Sequence, residues 1–320
     1  MVTHTKITKL LNIEVPIIQG GLAYLAYAEL ASAVSKAGGL GQITAMSLNN
    51  PDELRAEIHK VREVTDRPFG VNYAIGQQRR PFEDMVQVAI DEKVPVISIT
   101  GGNPKPVMDM VKGTGIKVLV LVAAKRQAIK AAELGADAIM VVGQEGGGHI
   151  GKDDIGTFVL TPEVANAVDV PVIASGGISD GKGLMAALAL GAEGIEMGTR
   201  FIATKECVHA HELYKQDLLQ ADEQSTVIIK RSIGQPARAL KNTWTERILK
   251  LEQEEVGYEG LKELISGNAN KDYIYEGSTD TGFGWAGQVS LRINEVPSVQ
   301  DLFEKIKREM KMVQKKWSNM

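Results

Sequence analysis

The chain has 320 residues, of which 44% are hydrophobic and 24% are charged, and its formal net charge at pH 7 is −4. This composition is typical of a soluble globular enzyme, and the acidic balance argues against nucleic-acid binding, which normally needs a basic surface. The single cysteine, Cys207, excludes an internal disulfide and a metal site made of several cysteines. The amino-terminal stretch MVTHTKITKLLNIEVP is polar, and no run reaches the roughly 20 apolar residues of a membrane span. We therefore expect a cytoplasmic protein with no membrane contact.

Short apolar runs alternate with amphipathic stretches through the first two-thirds of the chain. Most of the runs are continuously apolar, as expected for parallel strands that are buried on both faces. The stretches between them, such as YAELASAVSKAGG, have helical spacing and end at glycine. The predicted strands are, in chain order, VPIIQG (15–20), GLGQITA (39–45), FGVNYAI (69–75), VPVISIT (94–100), KVLVLVA (117–123), AIMVVG (138–143), PVIASGG (171–177) and GIEMGTRF (194–201).

Eight strand–helix units predict an α/β fold of the (β/α)8 or TIM barrel type. The competing arrangement is an open, doubly wound sheet, which usually has fewer strands and a Gly-x-Gly-x-x-Gly turn after the first. The first predicted strand instead runs into QGGLAYLA, which lacks that glycine spacing. The barrel is therefore favoured.

The alternation ends after Phe201. Residues 206–280 are mostly helical in pattern around one β-branched stretch, STVIIKR, and we interpret them as a mainly helical subdomain inserted into the barrel. The barrel itself would then comprise residues 1–205 and 281–320. Its last helix carries apolar residues at helical spacing that we expect to cover the outside of the barrel, namely Leu302, Phe303, Ile306, Met310, Val313 and Trp317.

Glycines at the ends of the last two predicted strands indicate a phosphate site. TIM barrels often bind phosphate there through backbone N–H groups and a helix amino terminus. Only residues without a side chain let phosphate oxygens approach those amides, and a threonine hydroxyl could add a contact. The alternative is that these glycines only form tight left-handed turns. The residues concerned are Ser175, Gly176, Gly177, Gly198 and Thr199.

Further glycines indicate a large flat ligand that lies against the backbone. They follow the first predicted strand, at Gly20 and Gly21, and the sixth, at Gly147 and Gly148. An isoalloxazine ring fits this pattern, because its face tolerates only small neighbours and its polar edge needs an amide partner. Asn72 and Gln19 could supply that amide, although an asparagine at a strand end is equally well explained as a capping residue.

One of the five histidines differs from the others in its surroundings. His149 follows three glycines in QEGGGHIGKDD, at the end of the sixth predicted strand, where barrels place their chemistry. A lone histidine is usually structural, but this position favours a catalytic role, since imidazole exchanges protons near neutral pH. We predict no metal site, because the pair His209 and His211 lacks a nearby third ligand and helical spacing.

Several motifs together resemble the nitronate monooxygenase family, formerly called 2-nitropropane dioxygenases, which includes FMN-dependent enoyl-acyl-carrier-protein reductases and NADH:quinone reductases. The resemblance implies a TIM barrel that binds one FMN non-covalently at its carboxyl-terminal mouth. Arg79 and Arg80 lie in a loop without a clear family match, where they could meet a dinucleotide phosphate or simply face solvent. The motifs are PIIQGGLAYLA, AVSKAGGLG, RPFGVN, EGGGHIG, VIASGGISDGKG, ALGAEGIEMGTRF and WAGQ.

The resemblance also implies roles for individual residues. His149 matches the active-site histidine of the family, and Asn72 would reach the cofactor. Trp285 and Gln288 of the WAGQ motif would approach the ring from a late loop. The segment after the first strand would lie by the ring, and the two glycine sites at the last strands would hold the phosphate; these residues are Gly20, Gly21, Leu22 and Ala23, and Ser175, Gly176, Gly177, Gly198 and Thr199.

We therefore expect an FMN-dependent oxidoreductase that oxidises alkyl nitronates to carbonyl compounds and nitrite. The alternative within the family is an NADH-dependent reductase of quinones or of enoyl-acyl-carrier-protein. A flavin-binding barrel without turnover is the non-enzymatic alternative. A phosphosugar aldolase is disfavoured, because no predicted strand end offers a Schiff-base lysine or paired carboxylates. The expected partner is a small-molecule substrate, with a homodimer as the assembly left open.

Overall fold

The computed structural model of the chain describes residues 4–76 and 81–319. Arg79 and Arg80 lie outside these residues. The described strands are β1 (Ile17–Gln19), β2 (Gly41–Thr44), β3 (Phe69–Ala74), β4 (Val96–Thr100), β5 (Lys117–Val122), β6 (Ala138–Val142), β7 (Gly148–His149), β8 (Val172–Ser175), β9 (Gly194–Met197), β10 (Thr226–Ile229) and β11 (Ala237–Leu240).

Eight of these strands form one parallel sheet in the order β1-β9-β8-β6-β5-β4-β3-β2. A bridge between Ile18 and Leu40 joins the two ends of this order, with Gln19 N–H donating to the Leu40 carbonyl at 2.9 Å. The sheet therefore closes into a barrel, and the predicted TIM barrel is confirmed.

The eight barrel strands lie within the eight runs predicted from the sequence. The largest difference is at the last run, where the strand ends at Met197 and residues Thr199–Ile202 form a short helix. The reason is that the chain turns at Gly198, and the hydroxyl of Thr199 accepts a hydrogen bond from the distant Gly287 N–H at 2.9 Å.

Helices surround the barrel and form much of the inserted segment. Short 3-10 turns occur at Ala45–Ser47 and Gln288–Arg292. The described α-helices are α1 (Lys6–Leu11), α2 (Ala28–Lys36), α3 (Pro51–Val64), α4 (Glu83–Asp91), α5 (Lys105–Val111), α6 (Lys125–Glu133), α7 (Thr157–Ala165), α8 (Gly181–Ala189), α9 (Thr199–Ile202), α10 (Glu212–Leu219), α11 (Thr243–Gln253), α12 (Gly257–Leu261), α13 (Gly267–Glu276) and α14 (Val299–Ser318).

The last helix, α14, packs against α2 and α8 on the outside of the barrel. Contact with α8 is close, since a Cβ atom on Gly181 would lie 2.5 Å from the carbonyl oxygen of Ile306. The apolar face predicted for α14 is buried from Leu302 to Met310. The prediction was wrong for Trp317, which is 47% exposed, because the amphipathic spacing continues beyond the surface that the helix covers.

The interior of the barrel changes character along its axis. At the amino end, Ile7 and Leu11 of α1 pack with Ile18, Leu119 and Ile173 from the strands in one apolar cluster. Toward the carboxyl end the buried side chains become polar, and they include Gln42, Thr44, Asn72, Ser98, Ser175 and Glu196. Helix α1 therefore closes one end of the barrel, and the other end carries the polar groups.

A second, smaller sheet belongs largely to the segment 206–280. Strands β10 and β11 form an antiparallel hairpin, and β7 pairs with the other edge of β11. The segment also contains helices α10 to α13. The sequence indicated one β-branched stretch there, and the second strand of the hairpin, β11, was not predicted. Through β7 this sheet reaches the carboxyl end of the barrel, where the candidate site lies.

Candidate active site

The loops after β1, β3 and β9 meet at the carboxyl end of the barrel. Gly20 N–H donates to the Met197 carbonyl at 2.9 Å. A Cβ atom on Gly21 would lie 2.3 Å from Oδ1 of Asn72, and one on Gly198 would lie 3.3 Å from the side chain of Leu22. The structure thus brings these predicted residues together, and Ala23 follows Leu22 in the same half-buried turn.

Asn72 is buried within β3, with its amide held in a defined orientation. Its Nδ2 donates to the hydroxyls of Ser98 and Thr100 on β4, at 2.9 Å each. These bonds direct the donor side of the amide into the barrel wall and place the carbonyl oxygen beside Gly21. The Asn72 side chain therefore does more than cap a strand, because its amide packs directly behind the backbone of Gly21.

Gln19 is placed differently from Asn72, although the sequence predicted similar roles for the two amides. Its side-chain oxygen accepts the backbone N–H of Gln42 at 2.9 Å, and the side chain of Gln42 donates back to the Gln19 carbonyl at 2.7 Å. Gln19 is fully buried. Its amide joins β1 to β2, so Asn72 is the better placed of the two to contact a ligand.

The loops after β6 and β8 lie directly against each other. Gly176 and Gly177 have φ angles of +90° and +75°, and a Cβ atom on Gly176 would lie 3.1 Å from the Gly143 carbonyl. These two glycines therefore form the left-handed turns that the sequence offered as an alternative. The turns do not replace the phosphate prediction, because both glycines remain partly exposed.

The helix that follows this turn has its own cap. At the amino end of α8, the side chain of Asp180 accepts the Gly183 N–H at 2.8 Å. An anion at the turn would therefore be bound by the loop amides and hydroxyls of Ser175–Gly177 and Gly198–Thr199. At the amino end of α8, the Asp180 cap already engages one of the free amides, and the contribution of this helix end to anion binding stays a prediction.

The late WAGQ motif docks onto the glycine-rich loop after β6. Gln288 N–H donates to the Glu145 carbonyl at 2.9 Å, and the side chain of Gln288 is exposed. A Cβ atom on Gly147 would lie 2.6 Å from the backbone nitrogen of Gly287. With the hydrogen bond from Gly287 to Thr199, this contact joins three segments that are far apart in the sequence.

His149 owes its position to the small sheet. It pairs with Ala237 of β11, and Trp285 forms a bridge with Ala239 on the same strand. Since β10 occupies the other edge of β11 along its length, His149 and Trp285 share one edge. Their ring centroids are 5.7 Å apart. Strand β11 thus places His149 and Trp285 side by side.

A lysine that the sequence did not indicate contacts the histidine. The Nζ atom of Lys230 lies 2.6 Å from Nε2 of His149 and 5.9 Å from the centroid of the Trp285 ring. Lys230 is only 5% exposed. No local signal could have found it, because it follows β10 and is 81 positions from His149. Only the docking of the hairpin onto β7 brings the two together.

Burial perturbs both groups of this pair. It lowers the pKa of His149 to about 3, and repulsion from the Lys230 ammonium contributes to the same shift. Burial also lowers the pKa of Lys230 to about 8, opposed by attraction to Glu252. Around pH 7 the pair therefore consists of a neutral imidazole and a predominantly charged ammonium.

Glu196 is a second buried group that the sequence analysis missed. It lies on β9, and a Cβ atom on Gly20 would approach its carboxylate oxygen to 3.2 Å. Burial raises the pKa of Glu196, and a hydrogen bond with Ser175 partly offsets that shift. The site thus contains a carboxyl group that is biased toward its neutral form.

Comparison with known proteins decides the family. A model of the family described as nitronate monooxygenase matches residues 4–81 and 74–309. The chain is 30% identical to a probable nitronate monooxygenase from Staphylococcus saprophyticus subsp. saprophyticus, over 97% of this chain and 98% of that protein.

The chain belongs to the nitronate monooxygenase family.

Two further similarities show the breadth of this family. The chain is 41% identical to a (3aS,4S,5R,7aS)-5-hydroxy-7a-methyl-1-oxo-octahydro-1H-indene-4-carboxyl-CoA dehydrogenase from Mycobacterium tuberculosis, over 77% of this chain and 68% of that protein. The structure of FabK from Thermotoga maritima superimposes with a TM-score of 0.92 at 39% identity, and covers 99% of both chains.

Family membership makes the chain a flavin-dependent oxidoreductase and confirms the predicted enzyme class. The non-enzymatic alternative, a barrel that binds flavin without turnover, was therefore wrong. Among the described residues, no group of three or more His, Cys, Asp and Glu side chains is arranged to hold a metal ion. No described helix has both the length and the apolar character needed to cross a bilayer.

In this nitronate monooxygenase family member, the chemical groups at the mouth are unevenly distributed. The β1, β8 and β9 loops offer backbone and hydroxyls, whereas the β7 side offers an imidazole, an ammonium and an indole from His149, Lys230 and Trp285. The first set suits a phosphorylated coenzyme. The second set suits an anionic reactant, because a buried ammonium attracts negative charge strongly.

Proposed function

We propose that the carboxyl end of the barrel binds FMN. The isoalloxazine ring would lie by the segment after β1 and by Asn72, with the glycines before His149 on its other border. Trp285 and Gln288 would approach the ring from the late loop. Its phosphate would be held by the two glycine turns, with contacts to Ser175, Gly176, Gly177, Gly198 and Thr199.

The donor set at the turns fits a phosphate. Backbone amides at positive-φ glycines are open to an anion, and the hydroxyl of Thr199 can donate as well as accept. Two carboxyl groups lie near the turns. Burial favours the neutral form of Glu196, and the carboxylate of Glu145, beside Gly177, accepts the backbone N–H and the hydroxyl of Thr157 at 2.8 and 3.0 Å. A Cβ atom on Gly148 would meet nothing within 4 Å, so there is also open space beside His149.

We further propose that the enzyme oxidises alkyl nitronates to carbonyl compounds and nitrite. FMN, when bound, would supply the electron acceptor, and oxygen would complete the reaction. The observation that carries the proposal is the Lys230–His149 contact of 2.6 Å at the mouth, because it sets a buried positive charge where an anionic substrate would lie. His149 would hydrogen-bond the nitro group, or deprotonate a neutral nitroalkane where that is the substrate.

Anaerobic mixing tests this function. The purified, FMN-loaded protein is mixed separately with propyl nitronate, with NADH and with an enoyl thioester, and the loss of yellow flavin absorbance is followed. We expect the nitronate to bleach the flavin fastest and aerobic turnover to release nitrite. Bleaching by NADH alone, with no nitrite from the nitronate, would contradict the proposal.

The second candidate function is an NADH-dependent reductase of quinones or enoyl thioesters. It is favoured by the similarity to a mycobacterial dehydrogenase whose named substrate is a coenzyme A thioester. In that case NADH would reduce the flavin, and the imidazole of His149 would position or protonate the acceptor. Rapid reoxidation of the NADH-reduced protein by the enoyl thioester would identify this function.

The homodimer and the cytoplasmic location expected from the sequence stay predictions. The mass of the FMN-loaded protein in solution measures the first, and fractionation of the cells that produce it measures the second.

A further inference from the structure

We propose that Lys230 is a positioning residue for His149. Its ammonium donates a hydrogen bond to Nε2 and thereby fixes the proton of the neutral imidazole on Nδ1, so that any hydrogen bond from the ring is donated from Nδ1. This inference deepens the proposed function and rests on it only where it concerns the substrate.

The geometry of the contact determines the tautomer. A lysine ammonium carries three donors and no acceptor, so a ring nitrogen 2.6 Å from Nζ must accept. A neutral imidazole has one donor and one acceptor nitrogen. With Nε2 accepting from Lys230, the ring proton of His149 is on Nδ1.

Lys230 is held in place from several directions. Its backbone N–H donates to the Glu252 carboxylate of α11 at 2.9 Å, and its carbonyl accepts the Gln235 N–H at 3.0 Å. The residue has a φ angle of +67°, which is unusual for a residue with a side chain, and the Trp285 ring flanks its ammonium. The backbone bonds fix the position of the residue, and burial beside Trp285 restricts its side chain. Little further side-chain entropy is therefore lost when the hydrogen bond to His149 forms.

The charge states agree with this geometry. The pKa of His149, lowered to about 3, keeps the ring neutral through the physiological range, and the pKa of Lys230 near 8 keeps the ammonium charged below that pH. Among the described residues, Lys230 lowers the pKa of His149 by repulsion, and Glu252 raises that of Lys230 by attraction. Above about pH 8, Lys230 becomes a neutral amine that can accept as well as donate, so the contact no longer fixes the tautomer.

This arrangement has a consequence for the substrate. While Lys230 is charged, Nε2 of His149 is engaged and does not abstract a proton. A neutral nitroalkane needs a base, whereas a nitronate has already lost its proton and gains from the nearby ammonium and a donor ring nitrogen. The geometry therefore favours the nitronate over the corresponding nitroalkane.

Nitrogen NMR of the FMN-loaded protein with 15N-labelled histidine tests the tautomer directly, without substrate. Of the five histidine signals, that of His149 is assigned by its absence in His149→Gln. In the wild type we expect a neutral ring with an acceptor Nε2 from pH 6 to 7 (about 1 pH unit below the Lys230 transition). In Lys230→Met, which keeps the chain length without the charge, we expect the acceptor signal to move from Nε2 alone to both nitrogens.

A second buried lysine supplies the matched control. Lys215 lies on α10 and is 7% exposed, and its Nζ donates to the Thr204 carbonyl at 2.8 Å, in the segment after α9. The Lys215→Met variant removes a buried ammonium of the same kind, and its His149 signals should match the wild type. An unchanged acceptor Nε2 in Lys230→Met, or a proton on Nε2 in the wild type, would overturn the proposal.

Activity gives a separate readout. In Lys230→Met we expect kcat/KM for propyl nitronate to fall about 10- to 100-fold, the effect of losing a hydrogen bond to a charged group. The ratio of nitronate to nitroalkane activity should fall with it, and Lys230→Arg should restore part of the loss. If the wild type does not oxidise nitronate, the proposed function fails while the NMR result still decides the role of Lys230.

Discussion

The two ends of the barrel differ in what their buried side chains do. At the amino end, α1 and the strands form a wholly apolar cluster that includes Leu11, Leu119 and Ile173. At the carboxyl end, other strands of the same barrel bury Asn72, Ser98 and Glu196. The strands are continuous between the two ends, so the difference lies in the side chains alone.

This difference separates stability from activity along one axis. Burying a polar group costs free energy unless it is hydrogen-bonded, so a polar layer is kept where it has a function. The apolar layer has no such requirement and can be packed for stability. Changes at the amino end should therefore alter unfolding without altering the chemistry, whereas changes at the carboxyl end should mainly alter ligand binding and turnover.

The largest effect is expected for His149→Ala. Removing the imidazole should lower turnover of propyl nitronate by about 10²- to 10⁴-fold, the usual contribution of a proton-exchanging or hydrogen-bonding catalytic group. The protein should remain yellow, since the predicted FMN contacts are elsewhere. Steady-state nitrite release measures the loss, and flavin absorbance after gel filtration measures retention.

The matched control is His59→Ala, which removes an exposed histidine paired with Glu92 on the surface of α3. It should turn over as the wild type does. Loss of FMN from His149→Ala with intact folding would instead assign the histidine to the cofactor site.

At the amino end, Leu119→Ala should lower the free energy of unfolding by about 2–5 kcal/mol, because Leu119 is fully buried and its truncation leaves a cavity. Urea denaturation measures the change. Turnover per folded molecule should stay near the wild-type value. Leu291→Ala, at a leucine that is 45% exposed, is the control and should change stability by about 0.5 kcal/mol or less.

A smaller effect is expected where backbone and side chain meet after β1. Gly21→Ala places a Cβ atom 2.3 Å from Oδ1 of Asn72, so the amide must move. We expect FMN to bind about tenfold more weakly, which corresponds to ~1.4 kcal/mol. Titration of the apoprotein with FMN, followed by flavin fluorescence, measures this affinity.

The double variant with Asn72→Ala separates the clash from the lost contact. If the clash is the cause, Gly21→Ala should cost little in the Asn72→Ala background. Additive losses in the double variant would show that each residue contacts the flavin independently.

The smallest effect is expected for Glu196→Gln, and it depends on pH. Burial raises the pKa of Glu196, so the folded chain holds its proton more tightly than the unfolded chain. The associated stability is complete below the ordinary glutamate pKa and is lost as pH rises through the folded value. Glutamine does not titrate, so the variant should gain stability relative to the wild type as pH rises from 4 to 8 (about the span of a raised carboxyl pKa).

Thermal unfolding across this range measures the gain. Glu63→Gln, at an exposed glutamate, is the control and should give a pH profile parallel to that of the wild type. A Glu196→Gln profile parallel to the wild type would mean that the carboxyl is not held in the neutral form.

Most of the barrel could be predicted because its signals are local. Continuous apolar runs reflect burial on both faces of a strand, and each run contains its strand. The site could be predicted in part for the same reason, since Asn72 lies in a predicted strand and the glycine turns and His149 lie in or after the last part of others. Trp285 and Gln288 came from the family resemblance, because no periodicity distinguishes them.

Lys230, Glu196 and β11 could not be predicted, for different reasons. Glu196 lies in a predicted strand, but whether its side chain faces the barrel or the helices depends on the register with its neighbours. Strand β11 is short, with alanine at two of its four positions, so it carries little β propensity. Lys230 lies in the recognised β-branched stretch STVIIKR, but none of its neighbours in the sequence indicates a contact with His149.

The sequence by itself determined the barrel, the ends of its strands and the one histidine among glycines, because each depends on neighbours within a few residues. Only the tertiary structure decided what surrounds that histidine. Its lysine partner and its indole neighbour come from a hairpin and a loop distant in sequence. Such contacts form when whole elements pack against each other. The free energy of that packing comes from many residues far apart in the sequence, so no local pattern reveals it.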